Sequence, residues 1–344
     1  MDGNRMLPAV ICDSFSFNIN KEKVDVKIYG SLTADIVNLF IQIFQDLVLD
    51  IIMNVTNDEA QRIIEEKTNG FFMEKHGYLT VDALNSLSFD YAYTAAPVIS
   101  DTQLDLYLNA TFFNPSIGEH SPGEGFADMP VDTSTRGQVQ MDFSRYTVES
   151  FLLTLYESEK LQITLNDDVV PGTRGFTFDT TTLEEYLPGL IDKYGEGVPM
   201  EVFFFAKEMP TVVFTPDEMA GFVSMGAEFR IRDVETAIIL SFMDAEAVFN
   251  LALEDFLLYL QFEELKLGDI IIEDSKIGSV DTSTMLKNIN RLLKLGLPVI
   301  NAYLSSGFDI PTHYFSYTEI ADASFNSYYN YVKVQWEPYI DPTI

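Results

Sequence analysis

The chain has 344 residues, 47% of them hydrophobic and 22% charged, with 27 Phe and 17 Tyr; this is globular composition and excludes disorder as the overall state. Acidic residues number 53 against 21 basic ones, a net charge of −32, and no stretch supplies the basic face that binding to nucleic acid or an anionic membrane requires. The single cysteine, Cys12, excludes an intramolecular disulfide framework and a Cys-rich zinc site, and His76, His120 and His313 are too scattered to form a ligand set.

The opening MDGNRML is followed by no apolar run of signal-peptide length, so no export signal is expected on this chain. Residues 36–55 form its most apolar segment. Asn38, Gln42, Asp46 and Asp50 recur there every four residues and make one polar stripe on a helix. Two aspartates near mid-membrane are costly, so the segment reads as an enclosed helix and not as a membrane span. Two sequons, Asn54-Val-Thr56 and Asn109-Ala-Thr111, give weak support to secretion and glycosylation. Strands are expected where apolar residues alternate, at Leu87, Phe89, Tyr91 and Tyr93, and again at Leu104, Leu106, Leu108, Ala110 and Phe112. Residues 114–132 contain three prolines and read as a loop or linker. A short helix is expected over Thr147–Glu157, with Val148, Phe151, Leu152 and Leu155 on one face.

From Leu161 onward the chain reads as a run of strands: LQITL, GFTF, MEVFFFA, TVVFT, AIILSF, AVFNLAL and FLLYLQFEELKL. A second long helix is expected over Ser283–Ser306, with Leu286, Ile289, Leu293, Ile300 and Leu304 on its apolar side, a kink at Pro298 and a cap at Gly307. The last strand is placed at Phe325–Trp336, with Val332, Val334 and Trp336 on one face and Tyr329 and Tyr331 on the other. A curved antiparallel sheet wrapped round such helices buries them and leaves an apolar gap between helix and sheet.

Catalytic signals are lacking. There is no G-x-S-x-G elbow and no P-loop, and Gly123-Glu124-Gly125 lacks the third glycine of a dinucleotide fingerprint. Asp167-Asp168 reads as a polar turn, because no calcium-loop spacing follows. Glu184-Glu185, Asp217-Glu218 and Glu263-Glu264 read as solvated surface, and Cys12 as a free or intermolecularly paired thiol. No cofactor or metal is expected, and the chain does not read as an enzyme.

Residues 148–171, VESFLLTLYESEKLQITLNDDVVP, resemble the start of the C-terminal barrel of the bactericidal/permeability-increasing and lipopolysaccharide-binding protein family, with its DD-x-x-P turn at Asp167, Asp168 and Pro171. Residues 292–311 end in NAYLSSGFDIP and resemble the family's second long helix running into a G-F-x-[LI]-P turn, here Gly307, Phe308, Ile310 and Pro311. FDYAYTAAP and QLDLYLNATFF are similar to strands of the family's central sheet. The resemblance implies an α+β tubular lipid-binding fold: a highly curved antiparallel sheet barrel around long helices, a central sheet and a partial second barrel. It divides the chain into an incomplete N-terminal barrel with part of the central sheet (1–114), a linker (115–132) and a complete C-terminal barrel (133–344).

The resemblance begins inside the first barrel, near Cys12, where vertebrate members place one cysteine of a disulfide. The partner position falls near Asn54, so no such bridge is expected within this chain. The basic tip that grips lipopolysaccharide belongs to the part of the family pattern that this sequence does not match, so strong lipopolysaccharide binding is not expected. What the resemblance implies is binding of a phospholipid or other acyl lipid in an apolar groove, with transfer as an extension of that binding. The lipid contacts would be Val148, Phe151, Leu152, Leu155, Leu286, Ile289, Leu293, Ile300 and Leu304. It also implies an extracellular protein, and the incomplete N-terminal half offers a surface for self-association. The competing reading is a non-transferring structural or interaction protein whose acidic surface meets a basic partner.

Overall fold

The structure, a computed structural model, describes residues 6, 7, 9, 11, 19–20, 23–24, 62–63, 65–67, 69–70, 77–81, 87–100, 104–123, 129, 139–168, 177–254, 257–305, 308–309 and 318–340. The expected helix at 36–55, the sequon at Asn54, Cys12 and Gly307 lie outside these residues.

Near the N-terminus β1 (Ile19–Asn20) pairs with β2 (Lys23–Val24). Then come β3 (Tyr78–Val81), β4 (Leu87–Asp90), β5 (Val98–Ile99), β6 (Leu104–Asp105) and β7 (Thr111–Phe113); β3, β4 and β7 make one antiparallel sheet, and β5 and β6 a hairpin. β8 (Val139–Ser144) runs directly into helix α1 (Arg145–Glu157). β9 (Gln162–Leu165) is followed by the short helices α2 (Thr180–Leu183) and α3 (Leu190–Tyr194). Next are β10 (Met200–Ala206), β11 (Thr211–Thr215), β12 (Glu218–Ile231), β13 (Glu235–Glu254), β14 (Leu257–Lys266) and β15 (Ile270–Ser275). Helix α4 (Thr282–Leu304), β16 (Phe308–Asp309), β17 (Thr318–Tyr328) and β18 (Tyr331–Ile340) complete the order.

The two longest strands organise the barrel. β12 pairs with β11 through residues 218–222 and with β10 through residues 225–231, while β13 pairs with β15 through 238–242 and with β14 through 246–254. Register shifts lie between Val223 and Met225, between Ile239 and Leu240, and between Val248 and Phe249. Bulges bend a strand and increase its twist, and the result is a curled antiparallel half-barrel. Where β13 changes partner, Asp244 takes a positive φ of 51°. The crossing chain packs tightly there: a Cβ on Gly268 would stand 1.9 Å from the Met243 carbonyl oxygen, so only glycine fits.

One end of the half-barrel is plugged. Leu183, Leu187 and Leu190 from the α2–α3 segment and Met285 at the start of α4 pack with Phe229, Ile238, Leu240 and Phe242. The other end meets the antiparallel sheet β17–β18–β8, where Val212, Phe214 and Met219 pack with Val332.

Several expected elements are corrected. Of the segment read as strand GFTF only Thr177 and Phe178 are described, and Phe178 is a core residue outside any strand, just before α2. AIILSF and AVFNLAL are parts of one strand, β13. The expected last strand is a hairpin: Asn330, at φ 66°, turns the chain between β17 and β18, so Tyr329 is exposed while Tyr331 is buried. Val332, Val334 and Trp336 are all buried, as expected of their shared face. The strand expected through Leu104–Phe112 is broken by Ala110, at φ 54°. The one expected through Leu87–Tyr93 ends at Asp90, whose carboxylate accepts from the Ala92 N–H at 2.8 Å and turns the chain.

Candidate functional site

Helix α1 has the expected apolar stripe but buries its other side. Its N-cap is Ser144, whose hydroxyl accepts from the Thr147 N–H at 3.3 Å. The buried residues of the helix are Tyr146, Thr147, Glu149, Ser150 and Thr154. These polar groups serve strand edges. Ser150 Oγ accepts from the Phe112 N–H at 3.0 Å, and the Thr154 hydroxyl is shared between the Phe112 carbonyl at 3.0 Å and the Ser150 carbonyl at 2.7 Å, so the pair occupies one residue's worth of the β7 edge. Glu149, only 2% exposed, accepts from the Arg145 guanidinium at 2.9 Å and from the Val212 N–H of β11 at 3.3 Å. An edge strand presents unpaired donors and acceptors that must be satisfied once water is excluded. The polar face of α1 does that for two strands at once.

Helix α4 docks in the same manner. Asn290 donates to the Leu267 carbonyl at 3.0 Å and accepts from the Leu267 N–H at 2.7 Å. Asn301 repeats this on Phe262, at 2.8 and 2.9 Å. Asn301 thus acts as a short stand-in strand on the edge of β14, and Asn290 does the same for Leu267, just beyond its end.

The apolar residues expected to form the site are only partly enclosed where they are described. Val148, Phe151, Leu152 and Leu155 are half-buried. Val148 and Leu152 lie against the cluster of Val212, Phe214, Met219 and Val332, which also touches Phe249, Leu251 and Phe325. Phe151 packs edge-on against Phe112 at 5.2 Å, and Phe112 meets Phe89 at 5.0 Å. On α4, Leu286, Ile289 and Leu293 are half-buried, and Ile289 packs on the plug at the far end of the half-barrel. Ile300 and Leu304 lie within α4, and their side chains are outside those described. The structure thus brings Val148 and Leu152 together in one cluster and puts Ile289 in another. Beside the first cluster is a cleft of about 550 Å³, lined by Met219, Leu251 and Phe325 together with the polar Asp217, Asn250 and Asn326.

The polar motifs resolve into structural roles. Asp167 accepts from the Phe178 N–H at 2.9 Å, and Asp168 pairs with Arg232 at 2.5 Å. Glu184 receives the N–H groups of Gly189 and Ile191, both at 2.8 Å, and so braces the start of α3. One constellation was not visible in the sequence. Lys207 Nζ donates to Ser241 Oγ at 2.7 Å, Ser241 Oγ donates to Glu273 at 2.5 Å, and Lys207 pairs with Glu273. Lys207 and Ser241 hold the Glu273 carboxyl below the usual carboxylate range. The three side chains are bonded to one another, so the trio acts as a brace that ties the end of β10 to β13 and β15.

The description "LBP / BPI / CETP family, C-terminal domain" fits residues 82–337, a segment that contains both bracketed edges, α1 and α4. The chain belongs to this family. Bactericidal permeability-increasing protein of Rattus norvegicus is 24% identical over 309 residues, which are 88% of this chain and 62% of the rat protein. The protein of the same name from Sebastes schlegelii is 21% identical over 233 residues, 65% of this chain and 47% of that protein. The chain thus spans about half to three fifths of the length of these relatives. A crystal structure of lipopolysaccharide binding protein superposes with a TM-score of 0.42 and 18% identity, over 85% of this chain and 66% of that one.

Proposed function

We propose that the chain binds an acyl lipid of phospholipid-like chemistry against the apolar stripe of α1 and the barrel face beside it. The observation that supports this is the inverted burial of α1: its polar side is buried, while Val148, Phe151, Leu152 and Leu155 remain half-buried. A helix whose apolar stripe served only as core would bury that stripe first. Burying ten methylenes of an acyl chain at ~0.8 kcal/mol each contributes ~8 kcal/mol before ordering costs. Membership of the LBP / BPI / CETP family favours a lipid over other apolar ligands.

In this reading Leu286 and Leu293 extend the apolar surface, Ile289 belongs to the plug, and transfer is an extension of binding. The protein works outside the cell, by resemblance to its relatives, and performs no covalent chemistry. A net charge of −32 repels polyanionic lipopolysaccharide, so that ligand binds weakly, most visibly at low ionic strength where screening is least. Organic extraction and mass spectrometry of protein purified from eukaryotic cells tests the reading. Bound phospholipid is expected; lipid-free protein that also ignores fluorescent phospholipid refutes it and leaves an interaction role for the acidic surface.

A further inference from the structure

Helices close several strand edges of this fold: Ser150 and Thr154 of α1 bracket β7, Glu149 of α1 holds β11, and Asn301 of α4 brackets β14. β9 is left open. It is the last strand of the barrel sheet and pairs only with β10. Ile163 stands opposite Phe204 and Leu165 opposite Val202, and the Leu161 carbonyl accepts from the Ala206 N–H. Bonded and unbonded residues alternate along an antiparallel pair, so Leu161, Ile163 and Leu165 direct their backbone groups to β10. The N–H and C=O of Gln162 and Thr164 point away from the sheet, and no described residue bonds to them.

Open edges are normally blunted by a charge, a proline or a bulge, and the strand Gln162–Leu165 carries none of these. Ile163 is 52% exposed, although Phe204 and Leu165 on the same sheet face pack on the plug. Charge decides what fits. Lys160, exposed and without an ion pair among the described residues, stands before the strand, and Asp167 and Asp168 follow it. A second copy running antiparallel brings each lysine to the other's aspartates, whereas a parallel copy sets like against like. We propose that two copies of this chain join edge to edge through β9, about a two-fold axis at Ile163. In that register Gln162 pairs with Thr164 of the second copy, and Thr164 with its Gln162, which satisfies every outward backbone group of both residues. Ile163 meets its own counterpart as an unbonded pair, where side chains stand closest, and Leu161 faces Leu165. Lys160 lies diagonally from Asp168, within reach of a long side chain. Glu159, at φ 54°, turns off the strand line before it would face Asp167. The two half-barrels then share one continuous sheet. The contact is short, so the dimer belongs to the small, concentration-dependent class, and it does not depend on the lipid reading.

The intact chain carrying Cys12→Ser, which excludes disulfides through the native thiol, is followed by sedimentation equilibrium. It should be monomeric at about 1 µM and mostly dimeric at about 100 µM. Thr164→Pro removes the outward N–H and leaves the bonds to β10 in place. It should weaken dimerisation about tenfold, because the axis doubles the loss to two hydrogen bonds. Ile163→Lys sets two like charges together on the axis and should weaken it as well. Under mild oxidation Ile163→Cys should cross-link much faster than Val234→Cys, an exposed control between β12 and β13. A monomer at about 100 µM overturns the proposal, and so does a dimer that both Thr164→Pro and Ile163→Lys leave intact. Equal cross-linking of Ile163→Cys and Val234→Cys overturns the axis at Ile163. Ile163→Lys and the cross-linking rates decide the matter even if Thr164→Pro folds poorly.

Discussion

Replacing Asn290 with alanine should loosen the seam between α4 and the barrel. Asn290 and Asn301 each make a donor and an acceptor contact with one residue, Asn301 with Phe262 within β14 and Asn290 with Leu267 just beyond its end. The lengths match: the helical interval 290–301 rises ~16.5 Å, and the strand interval 262–267 extends ~17 Å. Both brackets therefore match along one helix, which carries Pro298 between them. Asn290→Ala removes two hydrogen bonds, each with a net value of ~0.5–1.5 kcal/mol, and leaves the Leu267 N–H and C=O without partners. Leu267 is half-buried, so water relieves part of that loss. The expected destabilisation is ~2 kcal/mol, read as a lower denaturant midpoint with unchanged slope. Asn301→Ala should behave alike. The double variant should lose less than the sum, because releasing one bracket already frees the helix that presents the other. Losses below ~0.5 kcal/mol for both single variants, the level of ordinary surface substitutions, would refute edge capping as the force that seats α4.

Glu273→Gln should destabilise the protein at neutral pH and lose that effect in acid. The folded-state pKa of Glu273 lies below its ordinary value of 4.5, so its contribution is full above that value and disappears as pH falls through the folded pKa; a constant difference between wild type and variant from pH 7 to pH 3 contradicts the brace. Peptide mapping should find Asn109 unglycosylated in folded protein, because its amide donates to buried Asp90 at 2.6 Å and Thr111 is fully buried; a glycan on Asn109 of native, cooperatively melting protein would count against this geometry. A fragment of residues 1–114 should fail to melt cooperatively, since it lacks Ser150 and Thr154 on the β7 edge, whereas residues 133–344 should fold alone. A monomeric, cooperatively melting 1–114 fragment would show that β7 stands without α1.

Much of the barrel is legible in the sequence, and the reasons for the rest are physical. β10 and β11 coincide with MEVFFFA and TVVFT because each is an unbroken apolar run bounded by turn residues. β12 is obscured by Gly221 and Gly226, which look like breaks in a strand. The ring of Phe205, on the neighbouring strand, fills the space where a Cβ of Gly226 would stand, at 2.3 Å, so the sheet replaces the missing side chain from across the ladder. The α2–α3 segment did carry a signal in Leu183, Leu187 and Leu190, at i, i+4 and i+7, but Pro188-Gly189 interrupts it. The apolar stripe of α1 was readable, whereas its orientation was not. Ser150, Thr154, Asn290 and Asn301 bond to backbone atoms, and backbone partners leave no trace in residue type. Periodicity finds which residues share a helix face and does not say which face is buried.

The central claim is that this half-barrel holds a lipid at the face of α1. Leu152, half-buried beside Val212 and Phe214, gives the most direct measurement. Phospholipid bound per protein is determined by extraction and mass spectrometry for the wild type and for Leu152→Trp, with melting curves to confirm that both fold. The account predicts near-stoichiometric lipid on the wild type and a marked loss on the folded variant, whose larger side chain fills the acyl space. Equal loading of the two folded proteins, or none on the wild type, would contradict it.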